Sequence, residues 1–341
     1  MEVTTMKQNT MMKKTLALAL ALGMPLALTA CGSADSGESA EADGAYKVAV
    51  VRQLDHASMN EIRDAITAEL DAKAAELGIA ITYGDFNGNN DPSTLSQIGA
   101  QIVADGYDAI IPIGTTAAQQ MAATAQATKT PVIYGTVSYP ETAGLTGISY
   151  VTGTSDALNV ELLLDMMLAQ NPEVETVGLL YSTSEVNSAP AIETAKAYLD
   201  SKGISYLDKT GNTTDEIVAA VNSMLDQVDA VFTPTDNVVM NAELAIAPIL
   251  TEAGIPHYAG ADSFVRNGAL ATCGVNYTDL GTQTADLALE VLQSGQVPTD
   301  FVTVSGDIIT VNLDTAAALG VDTGVFSSLG SSMVEVHTTQ E

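Results

Sequence analysis

The chain has no tryptophan, two cysteines, three histidines and an aromatic content of only 5%. Basic residues are also scarce: 12 lysines and arginines stand against 42 aspartates and glutamates, a formal net charge of -30. A field of that sign repels phosphate backbones, so a nucleic-acid partner is excluded. Two cysteines cannot make a disulfide framework, and stability must come from packing. The few histidines and cysteines are scattered and form no metal-ligand pattern. There is no Gly-x-Ser-x-Gly elbow and no glycine-rich dinucleotide loop. We therefore expect no cofactor, no metal and no enzyme, an aspartate-based hydrolase being the one enzyme class these absences leave open. Long apolar runs are missing too. The apolar run near the start, Thr15 to Leu28, contains Pro25 and falls short of the ~20 residues that span a bilayer.

That stretch carries the first positive signal. Lys13 and Lys14 precede it, and Leu28-Thr29-Ala30-Cys31 follows, the layout of a secretory leader with a basic start, a short apolar middle and a small-residue cleavage site. The ending resembles the lipobox of bacterial lipoproteins, which implies cleavage after residue 30 and a lipid on Cys31. Loss of residues 1–30 removes three lysines and one glutamate, moving the formal charge from -30 to -32. With Cys31 acylated only Cys273 remains, most simply a small buried apolar residue. Residues 31–45 are Gly, Ser, Ala, Asp and Glu, too poor in apolar groups to offset their ordering entropy, and read as a flexible tether. We expect the outer face of the cytoplasmic membrane as the location.

From Tyr46 short β-branched runs alternate with longer amphipathic ones. Strands are expected at 46–51, 79–83, 109–113 and 131–134, with helices at 58–77, 92–104 and 116–127 between them. A second series follows, with strands at 176–181, 204–207, 230–233, 256–259 and 270–275 and helices between. Continuous apolar strands separated by helices imply parallel sheets covered on both faces. The fold class is α/β, in two similar lobes, each a parallel doubly wound sheet, joined by a hinge. We place the first lobe at 46–150 plus about 277–300, and the second at 153–275 plus about 301–325. Residues 326–341 show no period and read as a loose tail. Lobe closure is expected about Tyr150 to Gly153 and Val275 to Tyr277.

Ligands of open parallel sheets sit beyond the carboxyl ends of the strands. The residues following each strand are Gln53, Asp55 and His56; Asp85 to Asn90, including Asn87; Gly114, Thr115 and Thr116; Ser138 and Tyr139; Ser182 to Ser188; Pro234 to Asn237; and Gly260 to Ser263. Both series present polar loops at equivalent places, and two such rims make a cleft.

At these loops the chain resembles the substrate-binding lipoproteins of ABC transporters, in particular the group with tryptophan- and tyrosine-binding members. The likeness is carried by Gln53-Leu54-Asp55-His56, Gly114-Thr115-Thr116-Ala117-Ala118-Gln119, Tyr181-Ser182-Thr183-Ser184-Glu185 with Asn187-Ser188, Pro234-Thr235-Asp236-Asn237 and Ala259-Gly260-Ala261-Asp262-Ser263. It runs from about Tyr46 to Gly320. Two departures stand out: Thr116 where members often have proline, and Tyr139-Pro140 where they often have Asp-Pro. The resemblance implies a type I periplasmic-binding-protein fold, a small solute held between the lobes, a permease as partner and no catalysis. We expect a monomer.

For an amino-acid solute the site must neutralise a carboxylate and an ammonium. Thr115 and Thr116 open a helix whose hydroxyls and free N–H groups suit a carboxylate, or they are a plain cap. Ser184, Asn187 and Ser188 carry the same two readings. Asp236 and Asp262 either meet the ammonium or cap the next helix. His56 either contacts the solute or makes a local hydrogen bond. Gln53, Asn87, Ser138, Thr235 and Asn237 complete the expected contacts. Phe86, Tyr134 and Tyr139 are candidates for an aromatic wall, Tyr134 more simply as core. A sugar or nucleoside is the alternative solute, and a surface adhesin or sensor the alternative role.

Overall fold

The computed structural model describes residues 45–304 and 306–339. The leader, Cys31 and the tether up to residue 44 lie outside them.

The first lobe begins with β1 (Ala45–Arg52), α1 (Ala57–Leu77), β2 (Ala80–Asn87), α2 (Pro92–Ala104), β3 (Ala109–Ile113), α3 (Thr115–Thr124), β4 (Val132–Tyr134) and β5 (Val151–Ser155). The second contains α4 (Val160–Gln170), β6 (Thr176–Tyr181), α5 (Ser188–Lys202), β7 (Ser205–Thr210), α6 (Thr214–Asn222), β8 (Ala230–Thr233), α7 (Asn237–Glu252), β9 (His257–Ala259), α8 (Asp262–Arg266) and β10 (Ala271–Gly274). The chain then returns to the first lobe for α9 (Tyr277–Ser294) and β11 (Val302–Thr303). It ends in the second with β12 (Ile308–Asn312), α10 (Leu313–Leu319), a 3-10 turn at Thr323–Phe326 and β13 (Ser332–Val336).

The sheet orders are β11-β5-β4-β3-β1-β2 and β13-β12-β10-β9-β8-β6-β7. Each lobe thus has its first strand between its second and third, so the order reverses beside β1 and beside β6. All pairings are parallel except β10 with β12, which are antiparallel. The continuous apolar strands follow from burial on both faces: Val48, Val50, Ile111, Ile113 and Ile133 face one layer, Ala49, Val51, Ile110 and Val132 the other. Helix α1 contributes Met59, Ile62, Ile66 and Leu70 at three- and four-residue steps. Helix α9 lies against it at Gly281, where a Cβ would come within 2.6 Å of Ala65 Cβ and 2.9 Å of the Ile62 carbonyl oxygen.

Three expectations are corrected. The segment after Tyr150 is a strand of the first sheet, β5, whose threonines and serine gave no apolar signal. They are buried because they are satisfied: Thr154 Oγ1 lies 2.7 Å from Thr284 Oγ1, and Ser155 Oγ donates to the Ser138 carbonyl. The first crossover therefore falls after Ser155, not at 150–153. Residues 302–303 pair with β5 in the first lobe, not the second. The last residues are not a loose tail: β13 pairs along β12 from Ile308–Ser332 to Asn312–Val336, and Phe326 is fully buried in the core of the second lobe. Removing that ring leaves a cavity, so Phe326→Ala is expected to cost about 3–5 kcal/mol in urea unfolding, a loss that a dispensable tail would not show.

Candidate functional site

The switch points of the two sheets face one cavity, whose empty volume, counted to the open solvent at its mouth, is about 410 Å³. Of the expected contacts, His56, Thr115, Ser138, Asn187, Thr235, Asp236 and Asn237 line it. Gln53, Asn87, Thr116, Tyr139, Ser184, Ser188 and Asp262 do not. No lysine or arginine is among the described residues that line it.

The residues kept out have identifiable employment. Gln53 is fully buried: its Oε1 accepts from the Thr116 N–H at 3.0 Å, and its Nε2 donates to Asn90 and to Glu185. Thr116 thus spends its N–H on Gln53. Gly114, at φ 98°, makes this possible, since a Cβ there would lie 2.9 Å from Gln53 Oε1. Asn87 turns its own loop by accepting from the Asn89 N–H, and Ser184 joins Ser182 and Asn212. Asp262 pairs with Arg266 Nε at 3.1 Å, one turn along α8. Tyr139 packs against the core of the second lobe, where burial pushes its hydroxyl up to about 12. Phe86 stacks edge-on with Tyr107, and Tyr134 is core. The aromatic side chains at the cavity are instead Phe264 and Tyr277, with Met59, Ile62 and Met240 completing an apolar wall.

Asp236 reaches the cavity, yet its carboxylate is occupied. Oδ1 accepts from the Val238 and Val239 N–H groups at 3.0 Å, capping α7, and Oδ2 accepts from the Ser182 N–H and from Ser188 Oγ. It caps the start of α7, with Ser188 among its donors.

The carboxylate available to a solute is Asp156, which follows β5 at the crossover. It is 5% exposed and accepts from Ser138 Oγ at 2.9 Å and from the Tyr277 hydroxyl. Burial without a cation raises its pKa above the ordinary carboxylate range, and the Ser138 bond opposes that rise. A buried carboxylate with hydrogen-bond donors but no counter-charge gains from an incoming cation. The sequence held no sign of it, because Asp156 follows a strand with no apolar signature. Two of the polar atoms buried without a hydrogen-bond partner among the described residues belong to residues that line the cavity: His56 Nδ1 and Asn187 Oδ1. His56 Nε2 lies 3.0 Å from Asn237 Oδ1 and burial lowers its pKa, so the ring is neutral with Nδ1 as an acceptor. Asn187 Nδ2 is committed to the Thr235 carbonyl, which leaves Oδ1 as a second acceptor.

At the opposite polarity, α3 begins at the cavity with Thr115. Its Ncap, Gly114, offers no side-chain oxygen, so the positive helix end faces the site unquenched except at Thr116. Thr136, also lining the cavity, is held at φ 55°, a conformation that strains a β-branched residue and that accumulates at ligand sites.

Two doubly wound lobes closing on such a cavity define a solute-binding protein of the type I periplasmic-binding class. Residues 47–325 match the family model for ABC transporter substrate binding proteins, and the chain belongs to that family, whose members bind solutes and are not enzymes. They are extracytoplasmic. A tyrosine-binding protein of Clostridioides difficile is 31% identical over 324 residues, 90% of this chain and 92% of the relative. The fold superposes on an ABC domain from Streptococcus pneumonia in complex with L-Trp at a TM-score of 0.77, with 27% identity over 84% of this chain and all of that one. It superposes on the ligand-free, open structure of a substrate-binding protein with adhesive properties from Clostridium difficile at 0.65, with 28% identity over 86% of this chain and all of that one.

Asp236→Ala should lower stability by about 2–4 kcal/mol in the absence of any solute, because it strands four donors at the start of α7 and around it. Thermal or urea unfolding of the solute-free variant measures this.

Proposed function

We propose that this protein captures an aromatic amino acid between its lobes outside the cytoplasmic membrane and delivers it to the permease of an ABC transporter. The observation that carries the reading is the polarity of the cavity. Asp156, His56 Nδ1 and Asn187 Oδ1 offer only acceptors, which suits an ammonium group. The start of α3 with Thr115 suits a carboxylate. Met59, Met240 and Phe264 supply an apolar wall for a ring, and methionine adapts its shape to aromatic surfaces. The tyrosine- and L-Trp-binding relatives support the same solute class. A lipid on Cys31 and the tether that follows would hold the trap near its permease at high effective concentration.

L-tyrosine or L-tryptophan is expected to raise the melting temperature by several degrees at saturation. Asp156→Asn should weaken binding about 10- to 100-fold, whereas Asp262→Ala should leave the shift in place. A shift with a sugar or nucleoside and none with either amino acid would replace the solute class. Cys31→Ser is expected to move the protein from the membrane fraction to the soluble extracytoplasmic fraction, as read by fractionation.

A further inference from the structure

Beside the cavity the lobes are joined by a chain of buried polar side chains. Glu185, in the turn between β6 and α5 of the second lobe, is 3% exposed. Its Oε1 accepts from Gln53 Nε2 of the first lobe at 2.8 Å, and its Oε2 accepts from Asn237 Nδ2 of its own lobe at 2.9 Å. Asn237 Oδ1 in turn meets His56 of the first lobe. A third crossing bond joins Ser58 Oγ to Ser263 Oγ at 2.6 Å.

The groups around Glu185 do not supply a cation. Asp236 adds a second negative charge from the same lobe. His56, which faces it through Asn237, is neutral. Arg52, one residue before Gln53, turns its guanidinium to Asp55, Asn60 and Asp85 instead. A carboxylate taken out of water with two amide donors and no counter-charge is costly. Parting the lobes would break the Gln53 bond and return Glu185 to solvent.

We propose that Glu185 is the latch of the closed form and that closure binds one proton there, so that the solute is held more tightly in mildly acidic than in alkaline medium. This rests on the reading of the protein as a trap that closes on its solute. Burial first, and then Asp236, push the Glu185 carboxyl up to about 8, against 4.5 when solvated. The group is thus raised in the closed form. Its contribution to closure is complete below about 4.5, weakens by up to tenfold per pH unit above that, and is lost beyond about 8.

Calorimetric titration of the full chain with L-tryptophan at pH 7, in buffers of different ionisation enthalpy, counts the protons taken up per solute bound. Asp156 and Asp236, the raised carboxyls that line the cavity, are common to wild type and Glu185→Gln, and Asp236 interacts with Glu185, so their difference reads the proton held by the Glu185–Asp236 pair. Glu185→Gln is expected to take up close to one proton fewer, and equal counts would overturn the latch. Small-angle scattering of the solute-free chain is independent of the solute's identity. Wild type and Asp156→Asn should be more compact at pH 5 than at pH 9, and Glu185→Gln equally compact at both. A wild type unchanged by pH, or a response lost in Asp156→Asn and kept in Glu185→Gln, would overturn the latch as well. Absence of L-tryptophan binding together with the expected scattering would reject the solute and retain the latch.

Discussion

Three carboxylates, Asp156, Glu185 and Asp236, are buried where the lobes meet, and no lysine or arginine is hydrogen-bonded to any of them among the described residues. Their different functions follow from how fully each is satisfied. Asp236 accepts four hydrogen bonds from its own lobe and has no capacity left; it holds the start of α7 and the loop after β6. Glu185 accepts one bond from each lobe and so reports whether the lobes are together. Asp156 accepts from the Ser138 and Tyr277 hydroxyls and from its own backbone N–H, with no cation beside it at the cavity. In a chain of formal charge -30, anionic groups are abundant; burial, not abundance, makes these three significant.

The two lobes share a strand order because each solves the same problem, covering both faces of a parallel sheet with helices from successive crossovers. That order places a switch point on each lobe, and chain passages after Ser155, after Gly274 and after Val304 leave the switch points facing one another. A solute that touches both rims stabilises the closed arrangement by its differential contacts, since equal affinity for open and closed forms shifts nothing. In this structure the rims are joined directly by the bonds from Gln53 to Glu185 and from Ser58 to Ser263.

Elements with apolar period were legible in the sequence: β1, β3, β6 and β8 are continuous apolar strands, and α1 and α9 repeat every three to four residues. Elements stabilised by polar contacts were not. β5 is Val-Thr-Gly-Thr-Ser, and β13 has only Val336 buried, so neither carries a composition that separates it from a loop. At the site the same distinction applies. Among the loops after strands, His56, Thr115 and Asn237 lie at the cavity. Whether an aspartate caps a helix or faces a solute depends on donors distant in sequence, such as Ser182 and Ser188 for Asp236, and spacing alone does not reveal them.

The sequence by itself determined the alternation of strands and helices, two lobes and a rim of polar loops, because these depend on local periodicity and on turns. Only the tertiary structure decided which rim residues reach the cavity. That choice depends on contacts across more than a hundred residues, such as Gln53 with Glu185 and Ser58 with Ser263, which spend some polar groups on joining the lobes and leave others, Asp156 foremost, for what lies between them.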